Sequence, residues 1–301
     1  MAIFNWKRLG LVTGLSLSLF AAGCGSDDDS SSEGSGDAGK EESKDIELTY
    51  VEWDSEIAST NVIGKVLEDQ GYKVTYTPLD NAVMWQAVAN GEADGMVAAW
   101  LPATHGDLYE EYKDQVDELG ENLEGAKIGL VVPEYMDVDS IEDLDGIADD
   151  VDKTIVGIEP GAGVVQASEN AVEDYGLDGW EVQTSSSGAM ATELGEAYKN
   201  EEPIVVTGWT PHWKFAKYDL KYLDDPKETF GEAETINTMV REDLKDDMPN
   251  AYKILDQFNW APEDMEEVML EIQDGTDPAE AAADWVEDNQ DKVDEWTEGV
   301  E

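Results

Sequence analysis

Twice along this chain three short strands alternate with two helices, and both times the third strand runs into a tryptophan, a proline and a histidine. In the first run, residues 46–51 alternate apolar and polar like a half-buried strand. Asp54 or Ser55 then caps a helix that continues to Gln70 and stops at Gly71, and residues 72–77 are strand again. A helix over 81–90 carrying Trp85 and a small-residue strand over 95–99 complete it, delivering Trp100-Leu101-Pro102 and then His105. The second run has strands over 154–158, 180–184 and 204–207. Its helices lie over 164–175 and from Ser186 or Ser187 to Lys199, and its last strand delivers Trp209-Thr210-Pro211-His212. This order leaves little choice of fold. Strands separated by single helices pair in parallel through right-handed crossovers, so each run makes its own helix-covered sheet.

Open parallel sheets bind ligands outside the carboxyl ends of their strands, and the distinctive residues fall at those ends. Two α/β lobes with strand ends facing each other form a clamshell with the ligand in the cleft. The strand over 127–132, after a polar segment over 109–124, is expected to cross into the second lobe, and the strand over 235–241 to return. Residues 46–126 with 243–301 then form lobe 1, and residues 127–242 lobe 2. The tail reads as helices with Pro249, Pro262 and Pro278 near their starts, where a missing N–H breaks no helical bond.

The chain carries 71 acidic and 18 basic residues, a formal charge of −53, which excludes nucleic acid as a partner because phosphate binding needs Lys and Arg clusters. An acidic surface of this extent reads as adaptation to high salt, where screening weakens self-repulsion. A calcium-loaded surface is the weaker reading, since the acidic run over 137–150 lacks the ligand spacing and central Gly of an EF-hand loop. Cys24 is the only cysteine, so intrachain disulfides and Cys-based metal sites are excluded. It closes an N-terminal segment in which Lys7-Arg8 precedes the apolar run 9–22, the pattern of a signal peptide over 1–23. Ala21-Ala22-Gly23-Cys24 resembles a lipobox, in which the Cys is lipidated and becomes the first mature residue. Removing Lys7 and Arg8 with the leader takes the charge from −53 to −55, so the anchor has to be lipid rather than electrostatic attraction. Residues 24–45 are then a lipidated Cys and a disordered acidic tether with a reach of roughly 25 Å.

Gly161-Ala162-Gly163 follows a strand and opens a helix, so its free N–H groups and the helix dipole suit an anion. Gln166 stands where a dinucleotide fingerprint needs a small residue, so a carboxylate is the better guest and no cofactor is implied. Trp85, Trp100 and Trp209, from three separate loops, can meet as an aromatic box for a cation without N–H donors, such as a quaternary ammonium. Three such contacts supply roughly 3–6 kcal/mol, short of the ~8 kcal/mol of micromolar affinity. Hydrogen bonds to a carboxylate at about 1.5–3 kcal/mol each close the gap. The ligand is therefore expected to be a small zwitterion. Trp53 is expected at the lobe rim, Trp180, Trp260, Trp285 and Trp296 in cores or on helix faces, and His212 and Trp213 in support of the box.

Four segments, 51–61, 99–105, 157–163 and 207–213, make the chain resemble the glycine betaine-binding lipoproteins of osmoprotectant ABC importers. The resemblance runs from Tyr50 to Trp296. It implies a periplasmic-binding-protein-like clamshell of type II, monomeric, lipid-anchored on the extracytoplasmic face and serving an ABC permease and its ATPase. It also implies that Trp85, Trp100 and Trp209 surround a trimethylammonium, while the backbone N–H groups of Gly163 and Val164 and the side chain of His105 hold the carboxylate. A carboxylate there favours the imidazolium, so affinity is expected to improve as pH falls. Some relatives of this kind carry the two halves in the opposite order. Choline, carnitine, proline betaine and ectoine remain alternative ligands. An extracellular hydrolase using His105 or His212 as base is a different class, but neither a Gly-x-Ser-x-Gly elbow nor a His-Glu-x-x-His motif occurs, and no metal site is expected.

Overall fold

A computed structural model describes residues 43–301. The signal peptide, Cys24 and nearly all of the expected tether lie outside the described residues. The first run folds as β1 (Asp45–Tyr50), α1 (Asp54–Asp69), β2 (Lys73–Pro78), α2 (Asn81–Ala89) and β3 (Gly95–Leu101). β1 pairs in parallel with both β2 and β3, as single-helix crossovers require. α3 (Gly106–Tyr112) then leads into an 18-residue strand, β4 (Val116–Pro133). The second run is β5 (Thr154–Val156), α4 (Gly163–Asp174), β6 (Glu181–Gln183), α5 (Ser187–Asn200) and β7 (Val206–Thr210), with β5 parallel to both β6 and β7. The side chain of Ser186 caps α5 by accepting the Ala189 N–H at 3.2 Å.

β4 joins the two sheets. Its first part pairs antiparallel with β9 (Glu234–Arg241) over Val116–Ala126, and its second part pairs antiparallel with β7 over Lys127–Val131. The strand order is β2-β1-β3-β9-β4-β7-β5-β6, and β8 (Leu220–Tyr222) lies beside the end of β4 after the short helix α6 (Lys214–Lys217). The segment over 109–124 thus holds a strand where a polar stretch was expected. Three register shifts along the β4–β9 pairing break the alternation that reveals a strand, and Gly120 and Gly125 take the positive φ of 103° and 81° that such irregularities need. β9, expected as the return crossing, lies wholly between β3 and β4 in the first lobe's sheet, so the chain has recrossed before Glu234.

The C-terminal helices α7 (Leu244–Asp247), α8 (Pro249–Gln257), α9 (Pro262–Gln273), α10 (Pro278–Asp288) and α11 (Gln290–Trp296) return to the first lobe, where α9 and α10 pack on α1. Pro249, Pro262 and Pro278 each occupy the first helical position. Trp285 stacks on Trp296 with centroids 5.7 Å apart, Trp260 packs edge-on to Trp285 and Phe258 edge-on to Trp296, and these two are tilted against each other. These aromatics, like Trp180, are buried in the core. Among the described residues no helix is long and apolar enough to cross a membrane.

Candidate functional site

The strand ends of the two lobes frame a small, largely apolar cavity. Trp53, Trp100 and Trp209 form its aromatic wall, Ile128 and Ile158 add aliphatic surface, and Ala162, Gly163 and Val164 bring the start of α4 to it. Trp100 and Trp209 lie near the ends of β3 and β7, and the proline of each Trp-x-Pro follows a cis peptide bond. Trp53 holds the equivalent place after β1, as the residue before α1.

Trp85 does not line this cavity. It is fully buried on α2, its ring edge-on to His105 at 6.1 Å and 6.4 Å from Tyr109, so it backs the histidine instead of forming a cage wall. A mid-helix side chain packs inward against its own lobe, whereas a residue just beyond a strand end faces the cleft. By that criterion Trp53, expected at the rim, is the third wall.

All three cavity indoles are fixed by their N–H groups. Trp100 Nε1 donates to Glu56 Oε1 at 2.7 Å, Trp209 Nε1 to Ser55 Oγ at 3.3 Å, and Trp53 Nε1 to Glu159. Ser55 donates in turn to Glu56. Asp54, expected with Ser55 to cap α1, caps nothing. Its carboxylate reaches the second lobe, accepting from Trp213 Nε1 at 2.8 Å and Ser187 Oγ at 2.9 Å, with His212 Nε2 3.5 Å away. Burial works to raise the Asp54 pKa, but the nearby His212 ring and the hydrogen bonds from Trp213 and Ser187 hold it below the usual carboxylate range.

Each histidine accepts a backbone N–H on Nδ1: His105 from Trp100 at 3.1 Å and His212 from Lys214 at 3.1 Å. A neutral ring so held carries its proton on Nε2. Burial keeps both neutral, lowering His105 to about 3 against a smaller upward pull from the Ala98 carbonyl, and His212 to about 4 with help from Lys214. In this structure the ring at position 105 is thus held neutral, whereas the imidazolium was expected against a bound carboxylate. Its Nε2 has no partner among the described residues, and the ring lies 5.8 Å from that of Trp53, but like Trp85 it does not itself line the cavity. Thr104, the residue before it, lines the cavity. His212 packs edge-on to Trp209 at 4.6 Å, behind the wall rather than in it.

At the far side, Gly163 and Val164 are the first residues of α4, preceded by Ala162 with no side-chain cap. First-turn N–H groups have no acceptor within their own helix, and they carry the positive end of its dipole. The cavity thus presents three aromatic faces and, beside them, the uncapped start of a helix.

Residues 44–288 match the family described as the substrate-binding domain of ABC-type glycine betaine transport systems. The chain belongs to this family. It is 55% identical over 157 residues to the glycine betaine/carnitine transport binding protein GbuC of Listeria monocytogenes, a match that spans about half of each protein, 52% of both. Lactococcal OpuAC, in its closed-liganded conformation complexed with glycine betaine, is 56% identical, with a TM-score of 0.82 over 85% of this chain and 100% of that one. An ABC-transporter choline-binding protein in complex with choline is 29% identical, with a TM-score of 0.80 over 85% and 93% of the two chains. The two-lobed α/β fold read from the sequence is the fold of this family. Four features of its site escaped the sequence: Trp53 as a wall, Glu56 and Ser55 behind the walls, and Glu159 across the cleft. The signal that identifies Trp53 is its place directly after a parallel strand.

Proposed function

We propose that the chain captures glycine betaine outside the cytoplasm and delivers it to an ABC importer. The trimethylammonium lies among Trp53, Trp100 and Trp209, and the carboxylate takes the N–H groups of Gly163 and Val164 with Nε2–H of His105. The observation that carries this reading is the aromatic wall of Trp53, Trp100 and Trp209 beside the uncapped first turn of α4. Cation–π contacts recognise a quaternary ammonium, which offers no N–H to bond. A carboxylate needs acceptor-free donors, and a choline hydroxyl uses one or two of them at most. That asymmetry favours a betaine over choline. The task is capture rather than catalysis, performed by a protein tethered through a lipidated Cys24. The permease and its ATPase are the partners, and the chain works as a monomer.

Calorimetric titration of the domain over 43–301 with glycine betaine, carnitine, proline betaine, choline and ectoine tests the ligand. Glycine betaine is expected to bind tightest, and preference for choline would overturn the carboxylate assignment. For the anchor, Cys24→Ala in cells is expected to release the protein from membranes. A variant that is cleaved and still membrane-bound would refute lipidation.

A further inference from the structure

Behind the aromatic wall lies a carboxylate that forms no ion pair with a cation among the described residues. Glu56 is fully buried in the first turn of α1. One of its oxygens accepts the Trp100 indole N–H at 2.7 Å, and the other accepts the hydroxyl of Ser55, whose own oxygen accepts the Trp209 indole N–H at 3.3 Å. A single acidic group thus stands at the edges of two cavity tryptophans from opposite lobes.

The charged and titratable groups around it do not neutralise it. Asp54, on the same helix, is a second negative charge that raises the pKa of Glu56 further. From the second lobe, His212 faces Asp54, and the ammonium of Lys214 lies over the Trp209 ring at 4.2 Å with no hydrogen-bond partner among the described residues. His105, after β3, is neutral. Burial, opposed by the bonds from Ser55 and Trp100, leaves the Glu56 pKa at about 7, so near neutrality an arriving cation can hold the ionised form. An isolated buried carboxylate is expensive, and proteins keep one where an opposite charge completes it. An indole whose N–H is bonded to a carboxylate also gains electron density on its faces, which is the property a cation reads.

Resting on the betaine reading, we propose that Glu56 is a specificity-determining residue: through the edges of Trp100 and, by way of Ser55, Trp209, its carboxylate sets negative charge against the ligand's quaternary ammonium. The site then selects a cation over an uncharged group of the same shape.

The test uses Glu56→Gln, which keeps the size and the acceptor for Trp100 and removes the charge. Glycine betaine is compared with 3,3-dimethylbutanoate, which has carbon in place of the ammonium nitrogen, by titration or by competition. At pH 8 the variant is expected to lose at least tenfold in glycine betaine affinity and to leave the isostere unchanged or tighter. Its ligand-free melting temperature is expected to stay or rise, because an uncompensated buried charge has gone. Equal losses for both ligands, no loss for either, or a variant that fails to fold would each overturn the proposal. An unaltered chain that binds neither glycine betaine nor choline would instead overturn the functional reading on which it rests.

Discussion

Gly163→Ala separates what the site needs when closed from what the fold needs. Gly163 begins α4 with an ordinary negative φ, so alanine meets no backbone objection there and on propensity alone is favoured by up to ~1 kcal/mol. The obstacle comes from the other lobe. A Cβ on Gly163 would stand 2.5 Å from Cγ2 of Thr104 and closer still to the Thr104 carbonyl oxygen. The methyl can rotate away, but the carbonyl cannot. Its turn is fixed by the Ala103 and Thr104 N–H groups on Glu234 Oε2 at 3.2 and 2.9 Å, and by His105 N–H on the Trp100 carbonyl at 2.9 Å.

To restore ordinary van der Waals distances the lobes have to part by roughly 1 Å. Overpacking of this kind costs about 1–3 kcal/mol, which corresponds to a loss of roughly 5- to 150-fold in affinity. With the lobes apart the clash does not exist. The expected signature is therefore a glycine betaine affinity reduced about tenfold or more by calorimetry, with a ligand-free melting temperature equal to the wild type or higher. Affinity within threefold of wild type would refute the close approach of Gly163 to Thr104 in the bound state. A ligand-free melting temperature several degrees lower would refute the view that this contact belongs to closure.

Trp53→Ala, Trp100→Ala and Trp209→Ala are each expected to weaken glycine betaine binding at least tenfold, since ~1–2 kcal/mol of cation–π contact goes with the buried area. Trp85→Phe should stay within a few-fold by the same titration, being outside the wall. His105→Ala is expected to cost about 1.5–3 kcal/mol for glycine betaine and little for choline, measured by titrating both. Affinity should fall, not rise, between pH 8 and pH 5.5, because Glu56 and Lys214, each with a pKa of about 7, both take up protons there while His105 stays neutral. Rising affinity would restore the imidazolium. Burial lowers Lys214 to about 7 in the folded state, against ~10.4 unfolded. The unfolded chain alone binds that proton between the two values, so the penalty, up to roughly 4–5 kcal/mol, is complete at and below pH 7 and fades toward pH 10. Lys214→Met should accordingly raise the melting temperature more at pH 6.5 than at pH 9.5. Screening of the acidic surface should raise the wild-type melting temperature from dilute buffer to molar sodium chloride, and a flat response would show that the charge is neutral to stability.

The fold was largely legible because β-α-β order restricts topology and the three-strand parallel sets in both lobes follow from it. What hid was β4, whose first half pairs with β9 through three irregularities and so lacks regular alternation. Trp100 and Trp209 were legible because each precedes a proline at a strand end. Trp53 precedes a helix instead of a proline and so reads as a residue of the lobe rim. Trp85 reads as a ligand aromatic only while its helix face is unknown. Glu56 is hardest to see: in a chain with 71 acidic residues, one in a first helical turn looks like a complement to the helix dipole. Its burial, which alone distinguishes it, depends on indoles 44 residues away on one side and, through Ser55, 154 residues away on the other.

On the proposed reading, the residues around the start of α1 tie recognition to closure. Trp53 bonds Glu159, Asp54 bonds Ser187 and Trp213, and Ser55 bonds Trp209, and every one of these partners belongs to the opposite lobe. Asn81 adds a bond to the Gly161 carbonyl at 3.2 Å across the same cleft. Parting the lobes breaks these bonds together and removes Trp209 and the α4 amides from the other two walls. An open form therefore leaves both ends of the proposed site incomplete, Trp53 and Trp100 without Trp209, and His105 without the α4 amides. Each end of a zwitterion then gains contacts on closure, and the two gains add in favour of the closed form, which is the condition for a ligand to shift such an equilibrium. A ligand carrying only one charged end supplies only one of those gains, so closure itself adds to the selectivity for a molecule with both groups.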